Sequence, residues 1–97
     1  MTTLSTGFLF NCVTTNGAAK CWGDNNHGQL GNGTKERSAT PTRVIGLENV
    51  VQISAGAFHA CAVLADHTAR CWGNNGAGRL GDGTVTSSTT PVVVRGL

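Results

Sequence analysis

Short runs of apolar and β-branched residues, separated by residues that favour turns, recur along the chain. Residues 50–54 include two valines and an isoleucine, side chains that pack well on a pleated sheet. Residues 59–64 and 69–72 form two further runs on either side of Asp66-His67-Thr68, and two such runs joined by a short polar turn predict a β-hairpin. No window has the sustained periodicity of an amphipathic helix, so the pattern favours an all-β chain.

The first half of the chain has the same arrangement. Residues 9–14 and 18–22 flank Asn16-Gly17, a dipeptide that is favoured in two-residue hairpin turns. A glycine-rich stretch follows each hairpin and leads to a proline, Pro41 or Pro91, before a last short apolar run. Because proline has no amide hydrogen to donate, we expect these two prolines to open strands or to lie at sheet edges. The pattern predicts three or four short strands in each half.

The two halves are copies of one sequence unit. Residues 20–47 align without gaps on residues 70–97, with 15 identities in 28 positions at an offset of 50. Upstream of this block the offset falls to 49. A fixed period of this length is typical of architectures whose units bury their apolar faces only against one another. We therefore predict two repeats, residues 1–49 and residues 50–97.

The recurring residues form a motif that resembles the regulator of chromosome condensation repeat family. Each unit contains C-W-G-x-N-x-x-G-x-L-G-x-G-T followed by T-P and V-x-G-L, and V-x-x-I-S-A-G-x-x-H-x-C-A-V-L begins the second unit. The resemblance covers essentially the whole chain and implies a β-propeller, commonly of about seven four-stranded blades. We accordingly expect two four-stranded antiparallel blades, fewer than a ring of the family needs.

The resemblance implies less about function, because one fold hosts unrelated activities. Members of the family include a nucleotide exchange factor for the GTPase Ran, a plant ultraviolet photoreceptor and bacterial inhibitors of β-lactamase. The photoreceptor's paired tryptophans lie in G-W-R-H-T motifs, whereas Trp22 and Trp72 lie in C-W-G. Neither unit contains an insertion that matches the wedge of the exchange factor. We expect both tryptophans to pack within or between blades.

Composition and charge exclude several classes of partner. The 97 residues include 14 glycines and no tyrosine, 12% of them are charged, and the net charge is +2. The lysines and arginines are scattered, unlike the clustered basic face of a nucleic-acid-binding protein. No segment has the length of a membrane span, and residues 4–10 lack the basic flank and the apolar length of a signal peptide. We expect neither a nucleic-acid partner nor a membrane partner.

The four cysteines form one pair in each hairpin. Cys12 and Cys21 flank the first turn and Cys61 and Cys71 the second, so each pair can meet across antiparallel strands. We predict the disulfides Cys12–Cys21 and Cys61–Cys71, which favour an extracellular or other oxidising compartment. Two alternatives stay open: reduced, buried cysteines, or a zinc site that includes some of the histidines, although no C-x-x-C spacing exists. Those histidines are His27, His59 and His67.

No set of residues predicts an active site. His59 is the only histidine at a recurring family position, and Phe10 replaces it in the first unit, so packing explains this position better than proton transfer. Asp66 and Asp82 are expected to cap turns. The glycine-rich stretches match neither a phosphate-binding loop nor a calcium-binding loop. We predict a non-enzymatic chain with no metal and no cofactor.

Binding is the function that this sequence favours. The positions after each recurring Gly-Thr differ between the units, and surface loops commonly supply the specificity of a scaffold. The candidate binding residues are Lys35, Glu36 and Arg37 in the first unit, and Val85, Thr86 and Ser87 in the second. We predict a scaffold or protein-interaction module with an unknown protein partner. The alternative is a lectin-like, carbohydrate-binding propeller fragment.

Two blades leave two open sheet faces, and exposed apolar faces promote association. Contacts between the end of one chain and the start of the next are heterologous, and they give a closed ring where the rotation allows it. We therefore expect a head-to-tail homo-oligomeric ring, either a trimer with six blades or a tetramer with eight.

Overall fold

A computed structural model describes residues 2–7, 9–74 and 87–94 of the protein, which form two four-stranded antiparallel sheets. No helix in these residues is long and apolar enough to cross a membrane. Each sheet is a simple meander in which neighbours in sequence are neighbours in space. The first sheet contains β1 (Thr2–Thr6), β2 (Phe10–Thr15), β3 (Ala18–Gly23) and β4 (Ser38–Arg43). The second contains β5 (Val50–Ala55), β6 (His59–Leu64), β7 (Ala69–Gly73) and β8 (Ser88–Val93).

The all-β fold of paired four-stranded sheets is therefore confirmed, and the two central hairpins lie where the sequence predicts them. In the β2–β3 turn, Asn16 and Gly17 have φ angles of 54° and 82°, and two successive positive φ angles are what a type I′ turn requires. The β6–β7 turn is longer. His67 has a φ of 70° there, and its amide donates to the Leu64 carbonyl at 3.0 Å.

Each proline lies at a sheet edge, the second of its two expected positions, and neither opens its strand. Pro41 lies inside β4 and Pro91 inside β8, three residues after each strand begins. Both strands are sheet edges that pair on one side only, so the missing amide hydrogen breaks no second ladder. The register also shifts between β3 and β4 and between β7 and β8, where two residues of the inner strand stand against four of the edge strand, so each edge strand has two extra residues.

The core lies between the two sheets. In β2 the alternate residues Phe10, Cys12 and Thr14 are buried, and Ala19 and Cys21 of β3 lie beside them on the same face. This face packs against the second sheet, whose first strand, β5, contacts β1, β2 and β3. The buried cluster is completed by residues from both units: Leu30, Val44, Leu47, Val50, Ile53, Ala60, Ala62 and Trp72.

Polar contacts also join the sheets along β5. The Val50 amide donates to the Gly17 carbonyl at 2.9 Å, and the Ala55 amide donates to the Ser5 hydroxyl at 3.0 Å. These bonds lie at opposite ends of β5, so they fix its position along the first sheet. The two sheets thus form one packed pair.

Candidate functional site

The loop between β3 and β4 is organised around the buried side chain of Asn25. The Asn25 Oδ1 atom accepts from the Leu30 amide at 2.9 Å. Its Nδ2 atom donates to the Thr34 carbonyl at 2.8 Å and to the Glu36 carbonyl at 3.1 Å. One fully buried amide therefore ties the start of the loop to its middle and to its end.

The sequence reasoning missed Asn25, although a signal for it was present. Asparagine recurs at this position of both C-W-G-x-N motifs, at residues 25 and 75. A polar residue that recurs inside a glycine-rich stretch indicates a side chain that bonds the backbone of its own loop.

Three of the candidate binding residues lie on the solvent side of this loop. Lys35, Glu36 and Arg37 are all exposed, and the Asn25 bonds to residues 34 and 36 hold their backbone. Ser87 is exposed just before β8. Val85 and Thr86 lie outside the described residues. The structure thus places one contiguous charged segment, residues 35–37, on a loop whose backbone is held by the buried Asn25 side chain.

The inner half of the same loop packs against the second sheet. Gln29 and Leu30 are fully buried, and the Trp72 Nε1 atom donates to the Gln29 carbonyl at 2.7 Å. Gly31 has a φ of 65°, and a Cβ there would lie 2.9 Å from the Trp72 ring and 2.8 Å from Val44. Only glycine allows the backbone to approach the tryptophan so closely with this φ angle.

His27 lies at the junction of the two units. Its ring packs against that of Phe58, with the centroids 4.8 Å apart and the planes tilted by 52°. The Asn74 Nδ2 atom and the His27 Nδ1 atom are hydrogen-bonded at 3.2 Å. His27 therefore joins the loop of the first unit to the second.

His59 and Phe10 occupy the same slot of their two units, and each packs over a glycine. A Cβ at Gly56 would collide with the His59 ring, and a Cβ at Gly7 would collide with the Phe10 ring. Both rings start the second strand of their sheet. Packing is thus common to the two residues, as the replacement of histidine by phenylalanine indicates.

Both disulfides are present with the pairing that the sequence predicts. Cys12 is bonded to Cys21 and Cys61 to Cys71, each directly across the strand pair in register. All four cysteines are in these bonds, so none of them is a thiol in this structure. Within the described residues, no three histidine, cysteine or acidic side chains lie together as metal ligands.

Asp66 caps the β6–β7 turn. Its Oδ1 atom accepts from the Thr68 hydroxyl at 2.6 Å and from the Thr68 amide at 3.0 Å. The bond from the Thr68 hydroxyl, then that from the Thr68 amide and the nearby Arg70 charge, lower the pKa of Asp66 below its ordinary 3.8. Asp82, the other predicted turn residue, lies outside the described residues.

Two shallow clefts adjoin at one end of the sheets, where the β2–β3 turn meets the β4–β5 connection. Their volumes are about 270 and 320 Å³, and Arg43 and Glu48 line both of them. Backbone and aliphatic groups of Gly46, Leu47 and Leu64 contribute to the first. The second is lined in addition by residues 15–18 and Asn49, so both clefts combine charged, polar and aliphatic groups.

Two models of known protein families match this chain. One model of the regulator of chromosome condensation (RCC1) repeat matches residues 16–63. A second RCC1 repeat model matches residues 2–29 and 50–79, more than half of the chain. The chain belongs to the RCC1 repeat family.

The E3 ubiquitin-protein ligase HERC2 of Homo sapiens contains a similar RCC1-type segment. It is 44% identical over 52 residues, which are 52% of this chain and 1% of HERC2, and the Mus musculus protein matches equally well. The chain therefore spans a very small part of these relatives.

Solved structures share the fold. The structure of Kap60 bound to yeast RCC1 (Prp20) matches with a TM-score of 0.87 and 16% identity, over 97% of this chain and 24% of the matched chain. Human WBSCR16 matches with a TM-score of 0.82 and 23% identity, over 96% and 25%. Prp20p from Saccharomyces cerevisiae, described with its binding to Gsp1p and histones, matches at 0.75 and 22%, over 98% and 25%. At these identities the likeness establishes RCC1-type propeller blades and no shared activity.

Proposed function

We propose that the chain is a non-catalytic protein-interaction module and that residues 35–37 contact its partner. The observation that carries this proposal is the charged segment Lys35-Glu36-Arg37, exposed on a loop whose backbone a buried asparagine holds. A fixed loop loses little conformational entropy on binding, so more of its contact energy becomes affinity. The partners of the structural neighbours, Kap60, Gsp1p and histones, are proteins, and this favours a protein partner by analogy of fold.

The chemistry of the segment favours a folded protein surface over a polyanion. One carboxylate lies between two cationic residues, so a partner must offer charges of both signs in a matching order. A phosphate backbone would be repelled by Glu36 and favours a denser basic surface. A carbohydrate site at this loop would favour an exposed aromatic platform, and Trp72, the tryptophan that donates to the loop backbone, is fully buried.

The non-catalytic part of the proposal rests on what the histidines and acids of the site do. His27 packs between the two units, His59 packs over a glycine, and Asp66 caps a turn. Each of these groups thus has a structural contact that explains it, and a catalytic role would need a nucleophile and a base within reach of one another.

A pair of matched variants tests the proposal. Glu36→Ala/Arg37→Ala removes one carboxylate and one guanidinium from the loop, and Arg43→Ala/Glu48→Ala removes the same groups from exposed positions at the clefts. The probes are purified Kap60, Gsp1p and core histones, followed by proteins captured from a cell extract, identified and purified. Each is titrated against the wild type and both variants by calorimetry.

We expect a bound protein whose affinity falls about tenfold or more in the loop variant and stays within about twofold in the cleft variant. A protein that binds the wild type and the loop variant equally would contradict the assignment of residues 35–37. Turnover of a substrate by the pure chain would contradict the non-catalytic assignment. The two outer sheet faces are a second kind of contact surface, on which blades of another chain can pack.

A further inference from the structure

Equivalent positions of the two units are buried to very different extents. On the outer face of the first sheet, Leu4 of β1 is 64% exposed, whereas its equivalent Ile53 in β5 is 7% exposed. Trp22 of β3 is partly exposed, and its equivalent Trp72 in β7 is fully buried. The first unit covers these side chains in the second unit, and no group of the described chain covers them in the first.

Backbone atoms of the first unit's loop add to the side-chain packing that covers the second unit. The Gln29 carbonyl accepts from Trp72, the Gly33 amide donates to the Thr89 carbonyl at 2.9 Å, and Gly28 packs against the backbone of Thr89. In sequence the second unit keeps the same glycines and leucine of this loop, and Arg79 replaces Gln29.

The outer face of the second sheet has the complementary property. Thr14 and Cys12 of β2 are buried against the second unit, whereas their equivalents Val63 and Cys61 in β6 are 38% exposed and partly exposed. The same holds for two pairs beyond β2, since Ala19 and Val44 are fully buried while Ala69 and Val94 are partly exposed. Each outer face therefore repeats one side of the interface that joins the two units.

We propose that a second copy of this chain covers these faces, with the outer face of one chain's first sheet packed on the outer face of the next chain's second sheet. The interface between the two units within the chain is the template, because its two sides recur on the two outer faces. Such a contact is heterologous, so repetition gives a closed ring where the rotation per chain permits closure. Three chains supply six blades and four supply eight, both within the range of known propellers.

Two single substitutions each disable one face without disturbing the interior. Leu4→Asp places a carboxylate on the first face, and Val63→Asp places one on the second. Ile45→Asp is the matched control, since Ile45 is 49% exposed, lies beside Gly33 of its own unit, and has the charged Arg95 as its equivalent. Near-ultraviolet circular dichroism of each variant checks that the packed pair of sheets is retained.

Native mass spectrometry and light scattering at micromolar concentration give the test. For the wild type and for Ile45→Asp we expect a mass three or four times the 10.0 kDa of one chain. For Leu4→Asp and for Val63→Asp we expect the mass of a single chain. A mixture of the two single-face variants should form a heterodimer, because Leu4→Asp keeps the second face and Val63→Asp keeps the first.

A wild type with the mass of one chain would overturn the proposal. So would Leu4→Asp with an unchanged oligomeric mass, or a mixture that stays monomeric. The loop variant Glu36→Ala/Arg37→Ala should keep the oligomeric mass, so self-association and partner binding can fail separately.

Discussion

Trp72 and Trp22 occupy the same position of two repeats and should contribute very differently to stability. Replacing Trp72 with Phe removes the Nε1 donor and leaves the Gln29 carbonyl in the interior with no tryptophan partner. An unpaired buried acceptor costs about 1–3 kcal/mol. The smaller ring also leaves space at a fully buried site, which adds about 1 kcal/mol. We therefore expect Trp72→Phe to lower the free energy of unfolding by about 2–4 kcal/mol.

Trp22→Phe is the matched control, since the Trp22 side chain is partly exposed in a single chain. We expect it to cost less than about 1 kcal/mol. Both substitutions are compared in the Leu4→Asp background, because self-association would bury Trp22 and hide the difference. Phenylalanine is preferred to alanine, since a small domain has only about 5–15 kcal/mol of stability to lose.

Urea unfolding followed by far-ultraviolet circular dichroism gives the two free energies from the midpoints and slopes. Equal costs for the two tryptophans, within about 0.5 kcal/mol, would refute the assignment of Trp72 to the interface between the units. A larger cost for Trp22 would refute it as well.

Three further predictions follow from the loops and hairpins. Gly31→Ala should lower the free energy of unfolding by about 2–4 kcal/mol, because a Cβ there meets the facing side chains within 3 Å. Gly46→Ala is the control, since Gly46 has a similar φ and open space around it, and it should lower the same free energy by about 1–2 kcal/mol. Urea unfolding measures both. The Asp66 carboxyl should titrate below 3.8 by NMR, and Thr68→Ala should raise that midpoint. Since folding lowers this pKa, the stabilisation by Asp66 is present above pH 3.8 and is lost as the pH falls through the lower folded value. Peptide mapping without reductant should recover the two links within the hairpins, and free thiols or a link between the hairpins would contradict the pairing.

The sequence predicts what depends on neighbours along the chain. Asn16-Gly17 forms its turn because the residues themselves favour positive φ, and the cysteine pairing follows from the position of each cysteine beside its turn. For Pro41 the sequence left two positions open, a strand start or a sheet edge, because edges are a property of the assembled sheet, and the structure shows the edge. The different burial of Trp22 and Trp72 likewise arises from packing between the units, which two identical motifs cannot distinguish.

Asn25 links the two halves of the β3–β4 loop, so its loss should affect stability and partner binding together. Its Oδ1 atom holds the buried half through the Leu30 amide, and its Nδ2 atom holds the exposed half through the Glu36 carbonyl. Asn25→Ala leaves the Leu30 amide and the Thr34 and Glu36 carbonyls without this partner, at a cost of about 2–3 kcal/mol. Asn26→Ala, at the exposed neighbouring position, should cost less than about 0.5 kcal/mol.

The same loss frees the backbone of residues 35–37, so that ordering the loop must accompany binding and the affinity for the partner falls. Glu36→Ala/Arg37→Ala should lower the affinity alone, since both side chains are exposed. Urea unfolding and calorimetric titration of the two variants separate these effects. If Asn25→Ala lowered the stability but left the affinity unchanged, the loop would not owe its binding geometry to the buried amide. The fixed backbone would then have to be held by the blade packing of Gln29 and Leu30 instead.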